Sequence, residues 1–192
     1  MFFTLRKIII GSFWGLILCG LGYLYLRREI FQPLVELIEV GREIEFKPQP
    51  RTPAGEFVGE VTQVTGPDTF RIKPPTGPLY HFRLEGVEVP QPWELKYKSQ
   101  RVFWEESKTN LALLLLSNQV RIEVSYTNAT RGGMGVVFLT DTNRGTNLNL
   151  TLVQSGHAKL NRDYVRTRPV KEQYAFLVAQ QRAQEKKLGI WL

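Results

Sequence analysis

Residues 57–91 read FVGEVTQVTGPDTFRIKPPTGPLYHFRLEGVEVPQ, and the placing of their turns decides the fold. FVGEVTQV (57–64) alternates apolar and polar positions and is rich in β-branched side chains, GPDT (66–69) is a turn, and FRIK opens a second strand. PPTGP (74–78) turns the chain again into LYHFRLEGVEV (79–89), a longer alternating run. Downstream the period changes, with Val102, Phe103, Leu111, Leu114 and Leu115 at helical spacing. QVRIEVSY (119–126) and GVVFLT (135–140) return to strand character. The remainder reads as helix, first in NLNLTLVQSGHA and then over 170–187, where Tyr174, Leu177, Val178 and Gln181 trace one side. Five short strands with interspersed helices predict an α+β domain on a small barrel over residues 57–192, long enough to bury a sizeable core.

Upstream the composition shifts. Residues 8–26, IIIGSFWGLILCGLGYLYL, contain no charge over 19 positions. As a helix that run spans roughly 28 Å, close to the hydrocarbon thickness of a bilayer. Arg6 and Lys7 precede it, Arg27 and Arg28 follow it, and no small-residue cleavage site comes after it. Residues 1–28 therefore read as an uncleaved single-pass membrane anchor, with two basic residues at each end leaving its orientation open. Gly11 and Gly15 form a GxxxG through which two such helices could pack as a homodimer. Residues 29–56 read as a juxtamembrane connector: IFQPLVELIEV suits a short amphipathic helix, and KPQPRTPAGE a semi-rigid extended spacer. One cysteine, Cys19, excludes an intrachain disulfide, and two histidines, His81 and His157, exclude a His-rich metal centre. With 25 Lys and Arg against 18 Asp and Glu, the net charge of +7 suits an anionic partner and equally fits an ordinary basic protein.

Taken in order, the pieces of 57–192 resemble the staphylococcal-nuclease-like (thermonuclease) family. VTQVTGPDTFRI is similar to the family's opening strand, D-G-D-T turn and second strand. Phe82, Arg83, Leu84, Val87, Glu88, Val89, Pro90 and Gln91 follow its F-R-L-x-x-[VI]-D-x-P-E. TRGGMGVVFLT is similar to its D-x-Y-G-R turn and strand, NLNLTLVQSGHAKL to N-x-x-L-V-x-x-G-x-A, and GIW to its closing [GN]-I-W. The resemblance implies a five-stranded OB-fold β-barrel with three helices, preceded here by the transmembrane helix. It also implies Ca²⁺-assisted cleavage of phosphodiester bonds in DNA and RNA.

That reaction needs oxygen ligands for a hard cation, a carboxylate to position or deprotonate water, and cationic donors for charge developing on phosphate. By the resemblance Asp68 stands at the first metal-binding position, but Gly66 replaces its companion in the turn. Glu88 replaces the second metal-ligand Asp, so any Ca²⁺ site of Asp68 and Glu88 is weak. Arg83 matches the first phosphate-clamping arginine, whose planar fork suits a phosphate; pairing with Glu85 or another strand carboxylate is the structural alternative. Two departures bear on catalysis. Gln91 stands in place of the catalytic Glu, and an amide cannot accept the proton of water, a loss of roughly 10²–10⁴ in rate. Met134 stands in place of the second arginine, a loss on the order of 10²–10³. Arg131, by a one-residue insertion, or Glu94, by swinging in as a base, are the available rescues.

Residues 151–192 carry eight basic against three acidic side chains. Arg162 and Tyr164 fall where the family places its two nucleotide-contacting tyrosines, so that Lys159, Arg162 and Tyr164 make a candidate nucleic-acid surface. Phosphate contact with base stacking there implies salt-sensitive binding of single strands; the same cluster suits anionic lipid or a solvated helix face. Asn128-Ala-Thr and Asn149-Leu-Thr fit the glycosylation pattern. The leading expectation is a membrane-tethered nuclease homologue impaired in hydrolysis, acting as a binding or scaffold module for nucleic acid or another anionic partner. An active Ca²⁺-assisted phosphodiesterase with a rearranged base and a protein-interaction subunit of a membrane complex are the alternatives.

Overall fold

The computed structural model describes residues 28–48, 53–94, 96–128, 132–140 and 145–192. The apolar run 8–26 with Gly11, Gly15 and Cys19 lies outside them, as does Arg131. Among the described residues no helix is long and apolar enough to cross a membrane. The chain divides into two compact units, one ending at Glu43 and one running from Ile44 to Leu192. In the first, helix α1 (Arg28–Glu43) takes up half of the expected connector and outruns the IFQPLVELIEV segment at both ends. Its Val35, Leu37 and Ile38 are exposed.

The second unit is built on β1 (Gly55–Val64), β2 (Thr69–Lys73) and β3 (Tyr80–Leu84), which pair antiparallel in sequence order. Alternation sets their faces: in β2 Phe70 and Ile72 are buried while Arg71 and Lys73 are exposed. After helix α2 (Lys98–Leu115), β5 (Gln119–Thr127) pairs with β1, and β6 (Gly132–Leu139) pairs with β5. A parallel pairing of β3 with β6 then closes the sheet into a five-stranded barrel. The close approach explains the glycines of β6. A Cβ on Gly133 would stand 2.4 Å from the Phe82 ring, and one on Gly135 would stand 2.4 Å from the Glu123 carbonyl oxygen. Phe70, Ile72, Phe82, Leu84, Val120 and Ile122 fill the barrel and are almost wholly buried.

Three two-residue strands and one further short helix extend the expected plan. β4 (Val87–Glu88) pairs with β8 (Lys159–Leu160), and β7 (Thr146–Asn147) adds to β6. Helix α3 (Leu148–Gln154) starts where the Asn147 side chain accepts the Leu150 N–H at 3.0 Å. Short α4 (Arg162–Arg166) and long α5 (Val170–Glu185) follow. The GIW segment forms a short 3-10 turn, and Ile190 donates its N–H to the Gly156 carbonyl at 2.9 Å. The unit begins before β1: Gln173 accepts the Glu45 N–H at 2.8 Å and donates to the Glu45 carbonyl at 2.9 Å.

Asn149 joins the barrel to α3. Its Oδ1 accepts the Val137 N–H at 3.0 Å and its Nδ2 donates to the Glu85 carbonyl at 2.6 Å, with the residue fully buried. A glycan cannot be carried at Asn149 in this fold, which removes one of the two sequence matches to the glycosylation pattern. Asn149→Ala leaves two buried backbone groups without partners, so urea denaturation of residues 44–192 is expected to show a loss of about 2–6 kcal/mol.

Candidate phosphate site on the barrel

The turn between β1 and β2 holds the first of the site residues. Thr65 and Gly66 donate their N–H groups to the Thr69 carbonyl at 2.9 and 3.1 Å, and the Thr65 and Thr69 hydroxyls lie 3.1 Å apart. A Cβ at Gly66 would stand 2.6 Å from the Thr69 hydroxyl, so the turn is closed around the position where a second carboxylate would sit. Asp68 leads into β2, and its carbonyl accepts the Leu84 N–H of β3 at 2.8 Å. This fixes the Asp68 side chain beside Arg83.

Asp68 is 5% exposed, and its carboxylate lies 3.4 Å from the Arg83 Nε, whose side chain is 47% exposed. A buried carboxylate thus orients a guanidinium that still faces solvent. Arg83 is paired with Asp68 rather than with Glu85, whose carboxylate instead takes a short hydrogen bond from the Ser125 hydroxyl. Met134 of β6 is the direct strand partner of Arg83, so the two side chains leave the sheet on one face. The register therefore sets Met134 next to Arg83 on that face. Gln91 completes the group: its side chain favours the charged Asp68 carboxylate, and its Nε2 donates to the Val89 carbonyl at 3.1 Å. Asp68, Arg83, Gln91 and Met134 thus come from two strands, the β1–β2 turn and the loop after β4.

Burial raises the Asp68 pKa above its ordinary 3.8, and this outweighs the opposing pull of Arg83, of hydrogen bonds from its own backbone and Gln91, and of His81. His81 carries its Nε2 3.1 Å from the Thr65 hydroxyl, and burial together with Arg71 and Arg83 lowers its pKa. The sequence showed no partner for this histidine because the Thr65 contact exists only once β2 and β3 pair.

The remaining residues lie elsewhere. Glu88 is exposed on β4, and its carboxylate accepts from the Asn161 side chain at 2.7 Å. Among the described residues no three His, Cys, Asp or Glu side chains gather to hold a metal ion. Asp68 is paired with Arg83 and Glu88 with Asn161, so among the described residues these two expected ligands are not gathered into the several-oxygen shell that Ca²⁺ takes. Lys159, Arg162, Glu88 and Trp191 line a separate groove of about 330 Å³, where the Lys159 ammonium sits 5.1 Å from the Trp191 ring centroid. Arg162 is exposed on α4. Tyr164 is not: it is 6% exposed, its ring packs against Gly86, and the Arg168 guanidinium lies 5.7 Å from its centroid. Burial pushes its hydroxyl pKa up. Stacking of a base on Tyr164 would require α4 to leave the barrel. Periodicity over so short a helix gave no sign of this.

The raised pKa carries a sign for stability. The folded state favours protonated Asp68, a contribution fully present below pH 3.8 and lost as pH rises through the elevated folded value. Asp68→Asn is therefore expected to unfold at higher urea than the parent at pH 7, with the difference vanishing below pH 3.8.

No curated protein matches the chain. A family model does, over residues 81–192, which run from β3 through α2, the β5–β6 ribbon and every C-terminal helix to the 3-10 turn of GIW. With more than half of the chain matched and a closed five-stranded barrel carrying the helices, the chain belongs to the staphylococcal nuclease homologue family.

Proposed function

We propose that this nuclease-like domain binds the phosphate backbone of nucleic acid at Arg83 and hydrolyses it poorly or not at all, on a chain tethered to a membrane by residues 8–26. The observation that carries the reading is Arg83 held beside buried Asp68, with Gln91 near that carboxylate and Met134 on the neighbouring strand. The guanidinium is oriented and open to solvent, which suits a bidentate phosphate contact. The group at the water-activating position is an amide, and the neighbour that would double the positive charge is a thioether. Binding chemistry is retained while the base and one electrostatic donor are missing.

Glu94 does not fill the vacant role in this arrangement. Its carboxylate accepts the Gln91 N–H at 2.9 Å and so serves the local turn. Membership of the family is compatible with Ca²⁺, but the reading above needs no metal-dependent step. The alternatives, an active phosphodiesterase and a protein-binding subunit, separate from it in one experiment.

The full chain in detergent is incubated with labelled single-stranded DNA and RNA, with Ca²⁺ or with EDTA. The expected result is intact nucleic acid and a salt-sensitive complex. Arg83→Ala should weaken the complex and lower the salt slope by about one phosphate contact. Ca²⁺-dependent cleavage that disappears in Asp68→Ala would overturn the impaired-enzyme reading, and the absence of both cleavage and binding would turn attention to protein partners.

A further inference from the structure

The loop after β4 carries aromatic side chains that the fold does not use. Trp93, in the 3-10 turn Pro92–Glu94, is 75% exposed, and Tyr97, immediately before α2, is 67% exposed. Rings of this size ordinarily serve packing, as Phe70 and Phe82 do inside the barrel. Here the backbone is held without them. Glu94 donates its N–H to the Gln91 carbonyl and accepts the Gln91 N–H through its carboxylate, both at 2.9 Å. Lys96 donates its N–H to the Glu94 carbonyl at 2.9 Å. The Gln100 side-chain oxygen then accepts the N–H groups of Lys96 and Tyr97 at 2.9 and 3.1 Å. The two ends of the loop are held by polar contacts, and both rings stand in solvent.

The setting of the loop indicates its ligand. It departs directly from Gln91, whose side chain acts on the Asp68 carboxyl, the partner of exposed Arg83. Exposed Lys96 and Lys98 flank Tyr97, with exposed Arg101 one turn further along α2 and exposed Glu94 beside Trp93. Aromatic faces interleaved with cations, next to an oriented guanidinium, match a strand of unpaired bases on a phosphate backbone. The charges distinguish this surface from one for an uncharged apolar partner.

We propose that Trp93 and Tyr97 form a stacking platform for the bases of a single-stranded nucleic acid whose phosphate is held at Arg83. The platform supplies from the loop the aromatic contact that buried Tyr164 does not offer. It rests on the nucleic-acid-binding reading of the same face and adds what is read there: base faces, without regard to sequence.

The test uses the full chain in uncharged detergent, with fluorescence anisotropy of a labelled oligothymidylate and of an abasic strand of the same length. Trp93→Ala and Tyr97→Ala are each expected to weaken oligothymidylate binding about 5- to 100-fold. Trp93→Phe should restore most of that loss. Affinity for the abasic strand should be the same in the parent and the variants, whereas Arg83→Ala should weaken both strands. Oligothymidylate binding by the parent that is unchanged in both aromatic variants overturns the platform and leaves phosphate binding standing. An equal loss on the abasic strand also overturns it, because the rings would then be supporting the loop. No binding by the parent to either strand overturns the platform together with the reading on which it rests.

Discussion

The parallel contact between β3 and β6 is the constraint on which the rest of this domain depends. It joins His81 through Leu84 to Gly132 through Gly135 and converts an open sheet into a barrel with a filled interior. The approach is so close that side chains are excluded at Gly133 and Gly135, where the Phe82 ring and the Glu123 backbone already occupy the space. The same contact puts Arg83 and Met134 side by side, so the geometry of the core and the chemistry of the surface are set in one register.

The site built on that register opposes two physical effects. Burial of Asp68 disfavours its charge, and the adjacent Arg83 favours it; burial prevails. A domain selected only for stability has no use for such a carboxylate, since a neutral residue of similar shape avoids the desolvation cost. What the carboxylate does provide is a guanidinium with a fixed orientation and an exposed face. Gln91 and Met134, set near it, carry no ionisable group.

Much of the barrel was legible in the sequence because its signals are local. Alternation in FRIK and LYHFRL, the turns at GPDT and PPTGP, and the helical spacing of Leu111 and Leu115 each describe a neighbourhood of a few residues. Less was legible wherever partners meet across the chain. Asn149 read as part of a sugar-acceptor pattern, whereas its amide bridges β6 and the end of β3. Tyr164 matched a family position for nucleotide contact, yet Gly86, 78 residues earlier, opens the space into which its ring sinks. Trp93 and Tyr97 drew no notice, because an exposed ring and a packed one look alike in a list of residue types. Glu88 kept the charge of a metal ligand, but its partner Asn161 is brought in by the β4–β8 pair, which no periodicity over two residues could announce.

Barrel closure also has a consequence in time. β1, β2 and β3 lie within a 30-residue stretch and can zip as consecutive hairpins, but β1 meets β5, and β3 meets β6, only after the chain has crossed α2. Contacts of such separation are slow to form because loop entropy must be lost before they stabilise anything. In the interval the three-stranded ribbon has two bare flanks, each a template for pairing with another molecule. Closure of β5 and β6 over those flanks is therefore a kinetic race against self-association. The glycines of β6 leave the space that this last closure needs.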